Sequence, residues 1–141
     1  MKKHLAATIL FLAMLTLALL PSGCSIAGEA TTPVIDNISI EETYSLILSN
    51  EGNPDLVILD VRTPEEFAEG HLANAINIDY KAECFDDDIC QLDRDKIYIV
   101  YCLAGSRGEG ARDVMAGLGF CEVHNITGGI SAWAKQYPYE S

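Results

Sequence analysis

The stretch Ile97 to Gly119, "IYIVYCLAGSRGEGARDVMAGLG", decides how the chain is to be read. It opens on an unbroken apolar and aromatic run, the composition of a strand buried on both faces rather than on one. It closes on Ala111, Val114, Met115 and Leu118, an apolar stripe at helical spacing, and Gly119 ends that helix. Between them stand Cys102, small residues, Gly105 and Arg107. Strand, short glycine-containing turn and helix together make a unit of parallel α/β sheet. In such sheets ligands sit beyond the carboxyl ends of strands, which is where Cys102 stands.

The same alternation continues on both sides. "ISI" at 38–40 reads as a short strand. Ser39 and Glu42 form a capping box for a helix with Tyr44, Ile47 and Leu48 on one face, and "EGNPD" breaks it. "LVILDV" (56–61) is a second continuous apolar strand. Thr63 and Glu66, with Pro64 between them, open a short helix that stops at Gly70. "AINI" (75–78) and "CEVHNI" (121–126) read as further strands, Gly128-Gly129 as a tight turn and "ISAWAKQY" (130–137) as a closing helix. Residues 80–92 stay ambiguous, a helix interrupted by an acidic segment. The chain of 141 residues is long enough for one domain. Its pattern predicts an α/β fold with a mainly parallel sheet and helices on both faces.

The N-terminal residues are of another kind. "MKK", the uncharged apolar run 5–20 and "PSGC" read as a secretory signal over 1–23. Cys24, after a small residue, resembles the site at which bacterial lipoproteins are cut and lipidated, which implies a membrane anchor in the cell envelope, outside the cytoplasm. Residues 24–36 then serve as a flexible tether and 37–141 as the domain. The formal charge is −12. Losing Lys2 and Lys3 leaves seven basic residues against 21 acidic ones, a charge of −14. Such a surface argues against nucleic acid as a partner and repels anionic substrates at long range. "FDDDIC" lacks the spacing of a calcium loop and is read as a solvated loop, so no metal and no cofactor is expected.

The chemistry gathers around Cys102. A cysteine between a strand end and a helix start lies among backbone N–H groups, and those donors, with the helix dipole, favour a thiolate. Gly105 lets the loop curl, small side chains at Ala104 and Ser106 leave the donors open, and Arg107 brings a cation close.

"LDVRTPEEFAEGHLANAINI" (59–78), "IVYCLAGSR" (99–107) and "GFCEVHNITGGISAW" (119–133), in that order and spacing, resemble a single-domain rhodanese, a sulfurtransferase. The resemblance runs from about Ile38 to Trp133. It implies a small five-stranded, mainly parallel sheet and a Cys102 that takes a sulfane sulfur from thiosulfate, polysulfide or a persulfide. Cys102 would then pass that sulfur to cyanide, a thiol or a protein acceptor, by covalent catalysis. The amides of Leu103, Ala104, Gly105, Ser106 and Arg107 would hold the persulfide's charge, and Arg107 would help bind an anionic donor. Thiosulfate-preferring relatives often carry basic residues directly after the cysteine. Leu103 and Ala104 stand there in this chain, which tells against thiosulfate as the physiological donor. Cysteine phosphatases have five residues between cysteine and arginine; this loop has four, which favours sulfur over phosphate.

Asp60 and Arg62, in "DVR", are read as supporting the site side of the fold. His71 is read as structural, His124 as packing or surface, and Trp133 as a core anchor. Cys84 and Cys90 suit a short-loop disulfide in an oxidising compartment. Cys121 is read as a buried small hydrophobe, with a second reading as the partner of an oxidised Cys102 in a redox protein. A non-catalytic or sulfur-carrier binding module is the alternative to an enzyme.

Overall fold

Five strands pair in parallel in the order β3-β7-β6-β4-β5 in a computed structural model that describes residues 24–26 and 29–141. In chain order the elements are β1 (Cys24–Ile26), β2 (Glu29–Thr31), β3 (Val34–Ile38), α1 (Ile40–Ser49), β4 (Leu56–Asp60), α2 (Pro64–Glu69), β5 (Ile76–Asn77), α3 (Phe85–Cys90), β6 (Ile97–Tyr101), α4 (Ser106–Gly117), β7 (Glu122–Ile126) and α5 (Gly129–Trp133). The α/β fold expected from the alternating pattern is the one found. The apolar run 97–101 is the middle strand, and Ile99, Val100 and Tyr101 are fully buried.

Alternation along the strands divides the core in two. On one face Leu59, Tyr98, Val100 and Val123 meet Phe85 and Ile89 of α3 and Ala111 and Met115 of α4. On the other, Ile58, Ile99, Tyr101 and Ile126 meet Ile40 of α1 and Ile130 and Trp133 of α5. Each such side chain taken out of water contributes about 1.5–3 kcal/mol before the entropy of ordering it is subtracted. Both capping boxes form: Ser39 Oγ accepts from the Glu42 amide and Thr63 Oγ1 from the Glu66 amide, each reciprocated by the glutamate. Gly108 and Gly110 let the first turns of α4 lie directly on the sheet side. A β-carbon at Gly108 would overlap the Asn125 side chain, and one at Gly110 the Tyr80 hydroxyl.

Two expectations about the N-terminal part are corrected. Residues 34–36 are not tether: Val34 to Ile38 form an edge strand paired in register with Glu122 to Ile126, so the domain begins before Asn37. Pro33 stands just ahead of that edge strand, where its missing N–H takes nothing from the ladder. Cys24–Ile26 and Glu29–Thr31 pair as an antiparallel ribbon within the segment expected to be irregular. The segment 1–23, expected to be a signal, and the side chain of Cys24 lie outside the described residues. Among the described residues no helix is long and apolar enough to cross a membrane. Residues 80–92, ambiguous in sequence, contain α3, held by the burial of Phe85 and Ile89.

Met115→Ala is expected to lower unfolding stability by about 2–4 kcal/mol, because it empties a fully buried site. Leu48→Ala, on a side chain half exposed at the surface, is expected to stay within about 0.5 kcal/mol of the parent in the same urea titration.

Candidate active site

Cys102 stands one residue past the end of the central strand and is 1% exposed. The loop that follows turns at Gly105, whose φ of +115° a side chain would oppose, and enters α4 at Ser106. The turn brings the Gly105 amide onto the sulfur: its N–H donates to Cys102 Sγ at 3.1 Å. The amides of residues 103, 104 and 106–108 donate to no protein acceptor among the described residues. Three of these are the orphan donors that begin any helix.

The first two of these amides, those of Leu103 and Ala104, belong to peptide units whose oxygens are held from the other side. The Cys102 carbonyl accepts from the Ile130 amide at 2.9 Å and the Leu103 carbonyl from the Ser131 amide at 3.0 Å. The start of α5 thus holds two loop carbonyls outward. The approach is so close that a β-carbon at Gly129 would run into both carbonyl oxygens, and φ at Gly129 is +58°. Gly128-Gly129, read in sequence only as a tight turn, is the seat of the cysteine loop.

Arg107 is fixed from a second direction. Its guanidinium binds Glu66 of α2 with both forks, Nη1 to Oε2 at 2.7 Å and Nη2 to Oε1 at 2.8 Å. The bidentate bond with Arg107 is the largest cause that holds the Glu66 carboxyl down, to about 2. Glu66 foremost, and then the neighbouring Cys102 and Asp79, keep Arg107 firmly protonated. The cation expected to receive an anionic donor is therefore already matched by a carboxylate. Glu66 was legible in sequence only as half of a capping box; its second bond spans 41 residues.

Asp60 and Arg62 lie below this layer and are bonded to each other. Asp60, fully buried, accepts from the Arg62 amide and side chain at 2.6–3.0 Å, and Arg62 Nη2 also donates to the Gly70 carbonyl at 2.6 Å. The pair ties the end of β4 to the end of α2, the helix that carries Glu66. Burial, and then Asp60, push the Tyr101 hydroxyl up, so it stays neutral, and it accepts the Leu72 amide at 3.1 Å.

None of the other candidates is bonded to the Cys102 sulfur among the described residues. His71 stacks on Phe67 with ring centroids 3.8 Å apart, and its Nδ1 lies 3.0 Å from the Phe67 carbonyl. His124 is more than packing: its two ring nitrogens meet Asp36 and Glu122. Trp133 donates to the Pro138 carbonyl. Arg112 faces Asn37 and Asp113. The expected Cys84–Cys90 disulfide is corrected: both are free, exposed thiols. They bracket α3, and six helical residues rise about 9 Å, beyond the roughly 7 Å Cα separation a disulfide spans. Cys84 donates instead to Asp88, which pushes its thiol up. Cys121 is corrected as well. It is half-buried and disulfide-bonded, while Cys102 is free, so the two do not form a redox pair. Among the described residues no group of three or more His, Cys, Asp or Glu is placed to hold a metal.

Among the described residues, two of the cavities bear on the reading of the site. The larger, about 550 Å³, lies at the opposite end from Cys102, against Leu56 at the start of β4, and has no cysteine, histidine or lysine in its wall. The smaller, about 260 Å³, shares Leu103 with the cysteine loop.

With this geometry in hand, the comparisons agree. The family model for the rhodanese-like domain matches residues 42–136, and the chain belongs to that family. It is 32% identical over 102 residues to the thiosulfate sulfurtransferase GlpE of Pseudomonas entomophila, covering 72% of this chain and 89% of that protein. It is 32% identical over 119 residues to thiosulfate sulfurtransferase 16, chloroplastic, of Arabidopsis thaliana, covering 77% and 93%. The crystal structure of a rhodanese-related protein from Thermoplasma volcanium superposes with a TM-score of 0.63 at 31% identity, covering 74% of this chain and 96% of that one.

Two outcomes are expected. Gly129→Ala, which forces the loop carbonyls off α5, is expected to cost more than about 2 kcal/mol of stability and to leave Cys102 unreactive toward alkylating and sulfur-donating reagents alike. Glu66 titrates near 2 when folded and near 4.5 when unfolded. Its stabilisation is therefore fully present above pH 4.5 and is lost as pH falls toward 2. Glu66→Gln is expected to lower stability by about 1–2 kcal/mol at pH 7, discounted for partial exposure, with the gap to the parent narrowing below pH 4.5 in denaturant titrations.

Proposed function

We propose that the protein is a rhodanese-type sulfurtransferase that carries a sulfane sulfur on Cys102. The observation that carries this reading is the 3.1 Å bond from the Gly105 amide to Cys102 Sγ within a loop whose neighbouring amides have no protein acceptor among the described residues. A thiolate there attacks the sulfane sulfur of a donor, forms Cys102–S–S⁻ and releases the rest of the donor as its leaving group. The outer sulfur then sits among the loop amides, whose donors stabilise its charge as an oxyanion hole does. A nucleophilic acceptor removes that sulfur and returns the Cys102 thiolate. No base is needed on a cysteine that reacts as thiolate, in keeping with a His71 whose partners are Phe67 and Glu140. The thiosulfate sulfurtransferases among its relatives support the activity class. The donor is better matched by polysulfide or a persulfide than by dianionic thiosulfate, since Arg107 is held by Glu66 and Leu103 and Ala104 bring no charge.

The protein incubated with thiosulfate, polysulfide or a low-molecular-weight persulfide is expected to gain the mass of one sulfur, ~32 Da, with polysulfide or persulfide loading faster than thiosulfate. Cys102→Ala is expected to gain none. No adduct with any donor, or an adduct that survives that substitution, defeats the reading.

We place the chain's work outside the cytoplasm, on the apolar run 5–20 and the cysteine that follows it. Non-reducing peptide mapping checks the proposed anchor. A lipid thioether on Cys24 supports it, and a Cys24 found in disulfide linkage excludes it.

A further inference from the structure

The bonds to α5 hold the loop at Cys102 and Leu103. The amides of Ser106, Arg107 and Gly108 belong to the first turn of α4 instead, and that turn rests on the end of β7. Gly108, itself buried, is the point of contact. A β-carbon there would stand 2.1 Å from Asn125 Oδ1 and 3.6 Å from the Cys102 backbone nitrogen. The nucleophile's own main chain, the Asn125 side chain and the start of the helix therefore meet at one buried place. Asn125 is 1% exposed, and its Oδ1 accepts no hydrogen bond among the described residues.

The orientation of that carboxamide follows from its neighbours. Arg112 can only donate, and its Nη1 donates to Asn37 Oδ1. Asn37 Nδ2 donates to Glu109 Oε1 at 3.1 Å. Asn37 thus presents its oxygen to Asn125, and the atom of Asn125 that meets it at 2.9 Å has to be Nδ2. Turning Asn125 over would set two oxygens against each other. Its own Oδ1 is left facing Gly108. Asn37, on β3, therefore ties Glu109 and Arg112 of α4 to Asn125 on β7, and Asn125 is wedged against the first turn of the same helix. A buried acceptor without a donor is costly. An apolar side chain of this size would avoid that cost but could not bind Asn37.

We infer that Asn125 is a positioning residue for sulfur loading: clamped by Asn37 and set against Gly108, it fixes the first turn of α4 so that the amides of residues 106–108 face the outer sulfur on Cys102. The inference rests on the sulfurtransferase reading above and adds to it the residue that aims the helix side of the cradle. Asn125 makes no bond to the sulfur. It acts through α4, as the start of α5 acts through the two loop carbonyls. In the loading step the Cys102 thiolate forms a bond to the donor's sulfane sulfur. The donor's own bond to that sulfur breaks and its electron pair leaves with the rest of the donor, so Cys102–S–S⁻ keeps one negative charge. The amides of residues 106–108 meet that charge. A displaced first turn leaves it with fewer donors, and the step slows.

The test follows the ~32 Da gain of the full chain by mass in single turnover, over a range of concentrations of a low-molecular-weight persulfide. Amide spectra before and after loading and a urea titration accompany each variant. Asn125→Ala is expected to lower the limiting loading rate by roughly ten- to a hundredfold, with less change in the half-saturating concentration. On loading, its amide resonances of residues 106–108 are expected to move less than in the parent, while those of 103 and 104 move as before. A role in stability alone would not separate the two sets. Where Asn125→Ala does not fold, Asn37→Ala decides, since Asn37 is exposed and its loss leaves the core untouched. The same selective loss is expected there, severalfold in rate. A deciding variant that loads at the parent's rate, or that loads slowly with every loop amide moving as in the parent, overturns this inference alone. A parent chain that never loads overturns the sulfurtransferase reading and this inference with it.

Discussion

Two hydrogen bonds set the orientation of the cysteine loop: Ile130 N–H to the Cys102 carbonyl and Ser131 N–H to the Leu103 carbonyl. A peptide unit whose oxygen is held on one side presents its N–H on the other. Once α5 has claimed those oxygens, the loop has little freedom left, and Gly105 closes it by placing its own N–H on the sulfur. The requirement for glycine at 129 follows from the same contact, because the carbonyls need the space that a β-carbon would fill. An anion cradle of this kind depends on backbone direction rather than on charged side chains.

The charged side chains serve a different end. Asp60 holds Arg62, Arg62 holds the Gly70 carbonyl, and α2 ends at that point. Glu66 on α2 holds Arg107, the last residue of the loop. Two ion pairs therefore link the end of β4, the short helix and the cysteine loop in series. A buried ion pair is weak evidence for net stability, since desolvation offsets most of the attraction. Breaking one partner leaves the other unmatched, so the pairs fix relative position even where they add little free energy. Their cost in function is that neither guanidinium is left to attract a small anion, in a chain whose overall charge is already negative.

Much of the fold was legible in the sequence because it rests on local patterns. The run 97–101, the two capping boxes and the stripe of Ala111 and Met115 each specify an element by themselves, and their alternation specifies a parallel sheet. The short edge strand Val34–Ile38 was hidden because Pro33, Asp36 and Asn37 carry loop composition; only pairing with β7 makes it a strand. At the site, Cys102 and Gly105 were legible because a strand-to-helix turn exposes backbone amides, and a thiol placed there with a glycine suits anion chemistry better than packing. Glu66 and Gly129 were present as a cap and a turn, but their second roles depend on contacts 41 and about 27 residues away in sequence, which no local pattern encodes. The Cys84–Cys90 pairing failed for the opposite reason: spacing suggested proximity, and a helix between them set them apart.

The central claim is that backbone amides oriented by α5 hold the sulfur on Cys102. Proton–nitrogen correlation spectra of the free and sulfur-loaded protein test it most directly. The account predicts that loading moves the amide resonances of residues 103–108 downfield, as new hydrogen bonds form to the outer sulfur, while those of Ile130 and Ser131 stay in place. Loading that leaves the loop amides unmoved, or that shifts Ile130 and Ser131 because the carbonyls have let go, would contradict it.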